Sequence, residues 1–440
     1  MAEKMKPSGA AWIGEIPVGW NIKRIKYLAS LKGRIGWQGL TSDEYTEEGP
    51  YLITGIDFLN GGIDWENCVH ITEARWAEAP EIHINNGDLL ITKDGTVGKV
   101  AIVNGLHEKA SLNSGVLLIR TLPGFDKRFL YWVIQSEEFW RWFRLKNAGN
   151  STIIHLYQGD FAEFSYTFPH IAEQQAIADY LSNQCAKIDS IIADIEKQIE
   201  LLQQYKQSLI TETVTKGLDR SVPMKDSGIE WMGYVPAHWR VIRITKYLDS
   251  LVDYRGKTPE KVDEGVFLVT ARNIKNGQID YSLSQEYVAA EEYEQIMHRG
   301  KPAIGDVVFT TEAPLGEVAN IDNANIALAQ RVIKMCGRDG VVDNYFLKYW
   351  LMSLGFQSFL WSLATGSTAL GIAASKLGQL KMALPPIEEQ KRIVVNLNLA
   401  INTTDAIIAD KRTQLGTIHQ YKKSLIYEYV TGKKRVTEVN

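Results

Sequence analysis

The strongest constraint on the fold is a long amphipathic stretch that occurs twice. In residues 171–215, apolar side chains recur at alternating steps of three and four, which is the spacing of one narrow stripe on a helix that packs against a partner helix. Only Lys206 interrupts the stripe. The 29 residues from Leu181 to Leu209 would form a rod of roughly 44 Å, and a soluble helix of this kind needs a partner. The predicted seam consists of Leu181, Cys185, Ile188, Ile192, Ile195, Ile199, Leu202 and Leu209.

A second copy of this stretch supplies the partner. Residues 387–430 repeat the pattern at an offset of 216 residues. Thr404 and Lys411 stand where the first stripe has Ile188 and Ile195, so the second stripe is the weaker one. Two amphipathic helices buried in one core are the alternative, but duplication at matched spacing favours two helices that pair. The second predicted seam consists of Leu397, Ile401, Ile408, Leu415, Ile418 and Leu425.

The duplication extends over a whole domain that precedes each helix. The opening at 5–20, MKPSGAAWIGEIPVGW, reappears at 224–239 as MKDSGIEWMGYVPAHW. The remainder of each unit reads mainly as short strands, with matched hairpin turns at Asn60-Gly61 and Asn276-Gly277. Helical inserts are predicted at 126–145 and 343–361, with aromatic side chains that we assign to the core rather than to a base-stacking surface.

These patterns predict an α+β fold with a pseudo-two-fold internal duplication. It contains two homologous mainly-β domains with helical inserts, separated by two long helices that form an antiparallel coiled coil. An antiparallel return would place the domains at opposite ends of a rod comparable in length with one turn of B-DNA, about 34–36 Å. The predicted segments are domain 1 at 1–167, helical region 1 at 168–217, domain 2 at 218–384, helical region 2 at 385–432 and a tail at 433–440.

Composition limits the class of protein without deciding its function. The chain has 440 residues and no run of 18 apolar residues, which predicts no membrane span, and its first residues show no secretion signal. Three cysteines lie far apart in the sequence and are predicted to be reduced thiols in a cytoplasmic protein. The net charge of −4 argues mildly against a stand-alone nucleic-acid binder, but not against one with local contacts or with partners.

Motifs for catalysis are missing from the sequence. Gly256-Lys257-Thr258 ends like a phosphate-binding loop, but position 251 is Leu rather than Gly. Asp88 with Lys93 could suggest a nuclease, but the duplicate has Asp306 with Thr311. The eight histidines show no metal-ligand spacing. We therefore predict no catalytic residue and no metal site, and a chain that recognises a target rather than one that catalyses a reaction.

Candidate recognition residues lie in polar loops that occupy matching positions in the two copies but carry different side chains. Arg, Lys, Asn and Gln side chains offer the donors that suit base edges and phosphates. Any one of these residues could instead be an ordinary solvent-exposed surface residue. The set as a whole favours recognition of two different short nucleic-acid sequences. The candidates in the first domain are Lys32, Arg34, Gln38, Lys93, Thr96, Lys99, Asn113, Asn150, Ser151, Thr152, His155 and Tyr157. Those in the second domain are Arg255, Lys257, Arg272, Asn273, Thr311, Gln330, Arg331, Ser367, Thr368 and Lys376.

The paired openings, the GNST and TGST segments at 149–152 and 365–368, and the IAEQ and IEEQ helix starts resemble the specificity (S) subunits of type I restriction-modification systems. The resemblance covers nearly the whole chain. It implies two target-recognition domains, each reading one half of an asymmetric, bipartite site in double-stranded DNA. The helical regions would set the spacing and dock two methyltransferase (M) subunits, which restriction (R) subunits then join.

The resemblance also implies that this chain is the non-catalytic subunit of a restriction endonuclease and adenine-N6 methyltransferase complex, with no membrane partner. S-adenosylmethionine, ATP and Mg²⁺ would bind to the partner subunits, and no cofactor to this chain. Two alternatives come from other classes. One is a coiled-coil adaptor with two protein-binding domains and no DNA contact, and the other is a self-contained DNA nuclease or methyltransferase.

Overall fold

A computed structural model describes residues 4–34, 40–148, 155–256, 259–366 and 370–436. The chain forms two compact units. The first comprises residues Met1–Ile195 and Thr413–Asn440, and the second comprises Glu196–Arg412. Each long helix therefore contributes residues to both units.

In the described residues, the first unit has short strands and four short α-helices that precede a long one. Its strands are β1 (Met5–Pro7), β2 (Glu15–Pro17), β3 (Asn21–Arg24), β4 (Ala29–Gly33), β5 (Thr46–Ile53), β6 (Phe58–Leu59), β7 (Gly62–Ile63), β8 (Val69–His70), β9 (Leu89–Thr92), β10 (Val100–Ile102), β11 (Ala110–Leu112), β12 (Val116–Thr121) and β13 (Ser165–Phe168). Its helices are α1 (Glu73–Ala77), α2 (Lys127–Gln135), α3 (Glu137–Lys146), α4 (Gln158–Ala162) and the first part of α5 (Ile171–Lys216).

A four-stranded antiparallel sheet, in the order β4-β12-β9-β10, separates two cores of the first unit. Because successive side chains of a strand point to opposite faces, Leu89 and Ile91 join the core formed with α2 and α3, whereas Leu90 joins a second core. That second core is shared with the three-stranded sheet β11-β5-β8, in which β11 runs parallel to β5.

The second unit contains the same arrangement. Its strands are β14 (Met224–Asp226), β15 (Tyr234–Pro236), β16 (Arg240–Arg243), β17 (Leu248–Asp253), β18 (Val266–Val269), β19 (Ile274–Lys275), β20 (Gln278–Ile279), β21 (Tyr287–Val288), β22 (Val307–Thr311), β23 (Leu315–Asn320), β24 (Ile326–Leu328), β25 (Val332–Gly337) and β26 (Lys381–Leu384). Its helices are α6 (Tyr293–Ile296), α7 (Asn344–Met352), α8 (Leu354–Leu363) and most of α9 (Ile387–Val430). The order β17-β25-β22-β23 matches β4-β12-β9-β10, and β24 runs parallel to β18 as β11 does to β5.

Two local predictions are confirmed in both units. The hairpins β6–β7 and β19–β20 turn at Asn60-Gly61 and Asn276-Gly277, where all four residues have positive φ, as a type I′ turn requires. The predicted inserts form α2 and α3 in the first unit and α7 and α8 in the second. Most of their aromatic side chains pack in the cores, with Phe139, Trp142 and Phe346 buried, whereas Tyr345 and Trp361 are exposed.

Glu138 on α3 places an ionisable group inside the first unit. The side chain is fully buried, and its Oε1 accepts a hydrogen bond from Thr167 N at 3.1 Å. Burial raises the pKa of the Glu138 carboxyl to about 8, and the hydrogen bond from Thr167 N together with the charge of Lys433 only partly offsets this effect. The folded protein therefore holds this carboxyl largely protonated near neutral pH.

We expect the stability of the first unit to fall as pH rises toward 8. The folded-state pKa of Glu138 lies above the ordinary value of 4.5. The stability that the protonated carboxyl contributes is therefore fully present below about pH 4.5 and is lost as pH rises through about 8. One pH unit in this window corresponds to about 1.4 kcal/mol. Glu138→Gln should flatten the pH dependence of the unfolding free energy measured by denaturant titration. Glu15→Gln, an exposed position on β2, should leave the dependence of the parent unchanged.

The two long helices run in opposite directions where they meet within each unit. In the first unit, Lys422 pairs with Asp189 at 2.5 Å, and the rings of Tyr180 and Tyr429 lie 4.6 Å apart. The predicted seam residues up to Ile195 are buried there. Leu415 and Ile418 are partly buried and pack on the same core, which also buries Leu425.

Polar residues in the seam of the second unit are satisfied rather than exposed. Lys206 pairs with Asp405 at 2.6 Å, so the interruption in the first stripe carries an ion pair between the two helices. Thr404 is buried and its Oγ1 donates to Ala400 O at 2.8 Å. Of the remaining seam residues, Leu397 and Ile408 are buried, and Ile199, Leu202, Leu209 and Ile401 are half-buried.

Among the described residues, no helix has an apolar stretch of the length and hydropathy that a membrane crossing needs. Cys68, Cys185 and Cys336 are free thiols, of which the first two are buried and Cys336 is half-buried.

Candidate nucleic-acid interface

Several candidate loops of the first unit meet at one edge of its sheets. The parallel strands β5 and β11 end together, and Asn113 N donates to Ile53 O at 2.9 Å. The end of β9 lies beside the start of β12, where Lys93 N donates to Gly115 O at 2.8 Å. Leu156 N then donates to Lys93 O at 2.9 Å. We call these segments, residues 54–57, 93–99, 113–115 and 155–157, the first loop edge.

The second unit builds its edge with the same backbone hydrogen bonds. Ala329 N donates to Val269 O at 2.9 Å, Thr311 N to Arg331 O at 2.9 Å, and Ile372 N to Thr311 O at 3.0 Å. Positions 93 and 311, 113 and 329, 115 and 331, and 156 and 372 are therefore equivalent. We call residues 270–273, 311–317, 329–331 and 370–372 the second loop edge.

In each unit, a glycine of the longest edge segment (93–99 or 311–317) packs closely against a helix. Gly98 has φ +86°, and a Cβ there would lie 2.5 Å from the Trp140 ring on α3. Gly316 has φ +89°, and a Cβ there would lie 2.6 Å from Gln357 on α8. Glycine suits both positions because of the positive φ, and at Gly98 a larger residue would also clash with the rigid Trp140 ring.

Six candidates of the first unit lie on the first loop edge: Lys93, Thr96, Lys99, Asn113, His155 and Tyr157. Lys32 is exposed on β4. The prediction for Arg34 needs correction, because Arg34 is only 5% exposed and its guanidinium faces inward. Its Nε donates to Leu112 O at 2.7 Å and its Nη2 to Ser111 Oγ at 3.0 Å, so it braces the end of β11. Gln38, Asn150, Ser151 and Thr152 lie outside the described residues.

In the second unit, Arg272, Gln330 and Arg331 reach the loop edge with at least part of the side chain exposed. Asn273 and Thr311 are buried, which corrects their assignment as base contacts, because a buried side chain cannot meet a duplex. Lys257, Ser367 and Thr368 lie outside the described residues.

Two further candidates of the second unit make internal contacts. Arg255 Nε donates to Asp253 Oδ1 at 2.9 Å and Nη1 to Ile372 O at 2.8 Å, so it ties the segment after β17 to the edge. Lys376 Nζ donates to Leu363 O at 2.9 Å, which directs it toward α8. Both side chains are half-buried, so these contacts give each a positioning role, and their roles as base contacts stay predictions.

The first loop edge carries a compact charged cluster around Asp94. Lys93 Nζ lies 2.9 Å from Asp94 Oδ2, and His155 Nδ1 lies 2.7 Å from Asp94 Oδ1. Partial burial opposes ionisation of Asp94, but the hydrogen bonds from Lys93 and His155 outweigh it and lower the pKa of this carboxyl. The result is a hydrogen-bond acceptor flanked by donors. Such a combination can match the patterns of donors and acceptors by which base pairs differ in the major groove.

The second loop edge has the equivalent acid in Glu312. Its Oε1 lies 2.8 Å from Arg331 Nε, and the two side chains are 40% and 48% exposed. An ion pair this exposed contributes little to stability, so Arg331 can exchange Glu312 for a base or a phosphate at small cost. Two cavities of about 270 and 210 Å³ adjoin this edge, and Gln330 lines both of them.

Sequence reasoning missed residues on both edges. Asp94 and Glu312 occupy equivalent positions and are both acidic, a signal that the duplicated segments contained. Arg299 lines the larger cavity of the second unit, and its Nη1 donates to Asp253 O and Arg255 O at 2.8 Å. It lies outside the duplicated segments, so no pattern could have singled it out. Within the described ranges, no group of three or more His, Cys, Asp or Glu side chains could hold a metal ion.

Comparison with known proteins gives matches over most of the chain. Residues 17–201 and 245–416 match the family described as type I restriction modification DNA specificity domain. The MjaVIII specificity subunit of a type I restriction enzyme from Methanocaldococcus jannaschii is 27% identical over 446 residues, covering 97% of this chain and 95% of the relative. The EcoKI specificity subunit from Escherichia coli K12 is 19% identical over 434 residues, covering 96% of this chain and 90% of the relative.

Two solved structures have a similar fold. A chain from a structure concerned with complex assembly and conformational transition of the type I R-M system has a TM-score of 0.73 at 16% identity, covering 95% of this chain and 99% of that one. The HsdS subunit from Thermoanaerobacter tengcongensis has a TM-score of 0.51 at 16% identity, covering 95% and 98%.

Proposed function

Because this chain belongs to the family of type I restriction-modification specificity subunits, we propose that it selects the DNA sequence on which partner subunits act. Each unit would read one half of an asymmetric, bipartite site with its loop edge in the major groove. The observation that carries this proposal is the matched edge. The same backbone hydrogen bonds hold both edges, while Ser114 and Gly115 of the first give way to Gln330 and Arg331 in the second.

The geometry suits recognition of two different half-sites. Gln and Arg side chains can pair bidentately with adenine and guanine, and the exposed Lys99 and Lys32 suit phosphates. The first edge instead offers the Asp94 carboxylate between Lys93 and His155. An asymmetric site requires that the two loop edges share a backbone arrangement but carry different hydrogen-bond donors and acceptors.

We further propose that the long helices form an antiparallel coiled coil that sets the spacer and docks two methyltransferase subunits. Val395 and Leu399 on α9 are 68% and 69% exposed, although they belong to a helix that buries its other face. Leu201 and Tyr205 on α5 are also exposed. Apolar side chains in this arrangement suit a protein partner. Restriction subunits would join this assembly in the cytoplasm.

In this proposal the chain itself catalyses no step. S-adenosylmethionine, ATP and Mg²⁺ would be bound by the partner subunits. The role of this chain is to bind and orient the duplex, so that the target adenine of each half-site meets a methyltransferase.

Co-expression with the methyltransferase of the same system provides the test. We expect sequencing of N6-methyladenine to reveal a two-part asymmetric motif, and we expect the purified complex to retard a duplex with that motif in a salt-sensitive way. A complex that forms but neither retards the duplex nor modifies adenine would support the adaptor alternative. Methylation or cleavage by this chain alone would support the enzymatic one.

A further inference from the structure

One apolar side chain is held out into solvent beside the first loop edge. Ile56 is 86% exposed, the largest value among the exposed large hydrophobic side chains of the described residues. A fully exposed isoleucine gains nothing from folding, since the hydrophobic effect stabilises only apolar surface that is removed from water. Its exposure leaves it accessible to a partner outside the chain.

The backbone around Ile56 is a tightly bonded turn. Thr54 N and Thr54 Oγ1 both donate to Asp57 Oδ2, at 2.6 and 2.9 Å, and Ile56 N lies 3.4 Å from Thr54 Oγ1. Asp57 is only 3% exposed, so its carboxylate serves the turn and not the solvent. Ile56 is thus presented outward by a turn that is closed by hydrogen bonds to the buried Asp57 carboxylate.

The second unit builds the same turn with a different residue at the tip. Thr270 N and Thr270 Oγ1 donate to Asn273 Oδ1 at 2.9 and 2.8 Å, and Asn273 is fully buried. Arg272 occupies the tip and is exposed. The turn is therefore common to both units, and its tip is the position that differs.

Each turn lies next to the other segments of its loop edge. Lys99 Nζ donates to Gly55 O at 3.5 Å, and a Cβ on Gly55 would lie 3.6 Å from Thr92 Cγ2. In the second unit, Arg272 lines the same cavity as Gln330 and Arg331. The tip of the turn is thus placed beside the side chains that carry the proposed base reading.

We infer, on the basis of the proposed function, that the tip residue is specificity-determining and that Ile56 contacts the C5-methyl group of a thymine in the half-site of the first unit. The thymine methyl is the apolar group that base pairs present in the major groove, and apolar side chains recognise it there. The ammonium group of Lys99 beside the turn supplies a cation for a phosphate of the adjacent DNA backbone. Arg272 offers the second half-site guanidinium donors instead.

The test replaces each thymine of the first half-site by uracil, which removes only the methyl group. The methyltransferase complex should bind one of these duplexes about fourfold more weakly, the factor that corresponds to about 0.8 kcal/mol for one buried methylene. Ile56→Ala should bind the thymine and uracil duplexes equally at that position. Val18→Ala, which alters another exposed apolar residue of the first unit, should keep the fourfold preference.

The outcomes separate this inference from the proposed function. Specific binding of the methylated motif with no thymine preference at any position of the first half-site would overturn the role of Ile56 alone. A thymine preference that persists in Ile56→Ala would overturn it as well. A complex that does not bind its own motif would instead contradict the proposed function.

Discussion

Deleting one heptad from each long helix should shorten the recognised spacer by about three base pairs and abolish methylation of the original site. The deletion removes residues 199–205 from α5 and 406–412 from α9. Both segments belong to the second unit, where the Lys206–Asp405 ion pair joins the helices directly beside them, so the two segments lie opposite each other. A whole heptad preserves the seam, and at 1.5 Å per residue it shortens each helix by roughly 10 Å, or about three base pairs of about 3.4 Å.

Sequencing of N6-methyladenine in a strain that expresses the shortened chain with its methyltransferase checks this result. Removing four residues from each helix is the matched control, because it breaks the seam and should abolish modification at every spacing. If the shortened chain modifies sites with the original spacer, the long helices do not measure the distance between half-sites.

Arg331→Ala should cost about 1–3 kcal/mol of binding free energy and relax selectivity at one base pair of the second half-site. The guanidinium is half exposed, is held in place by Glu312, and projects from the start of β25 at the second loop edge. Its loss removes a bidentate donor and leaves the first loop edge intact. Titration of the complex with duplexes that vary one base pair at a time measures both effects.

Arg338→Ala is the control for this experiment. Arg338 is 51% exposed, compared with 48% for Arg331, and it lies beyond the other end of β25. We expect this variant to bind the motif like the parent. If Arg331→Ala weakens binding equally for every sequence, its partner is a phosphate and not a base.

Features that depend on neighbouring residues in the chain could be predicted from the sequence. The Asn-Gly turns require positive φ, which these residues adopt readily, and the aromatic inserts need a core to cover their apolar face. Duplication showed that Asn60-Gly61 and Asn276-Gly277 play the same part in two copies of one frame.

Features that depend on burial could not be predicted. Guanidinium groups suit bases, which makes Arg34 and Arg255 candidates, but each donates to a backbone carbonyl that is far away in sequence, Leu112 O and Ile372 O. Asp94 is an acceptor and not a donor, and its place at the edge depends on its contacts with Lys93 and with the distant His155. Ile56 was missed because its exposure follows from a buried partner, Asp57, and not from its own chemistry.

The hydrogen bonds that join the edge segments use main-chain atoms, as between Leu156 N and Lys93 O, and so do not depend on which side chains the segments carry. Replacement of exposed residues there changes stability by about 0.5 kcal/mol or less in most proteins. Under the proposed function, a few codon changes at the loop edges could therefore alter the selected DNA sequence while the fold keeps its stability.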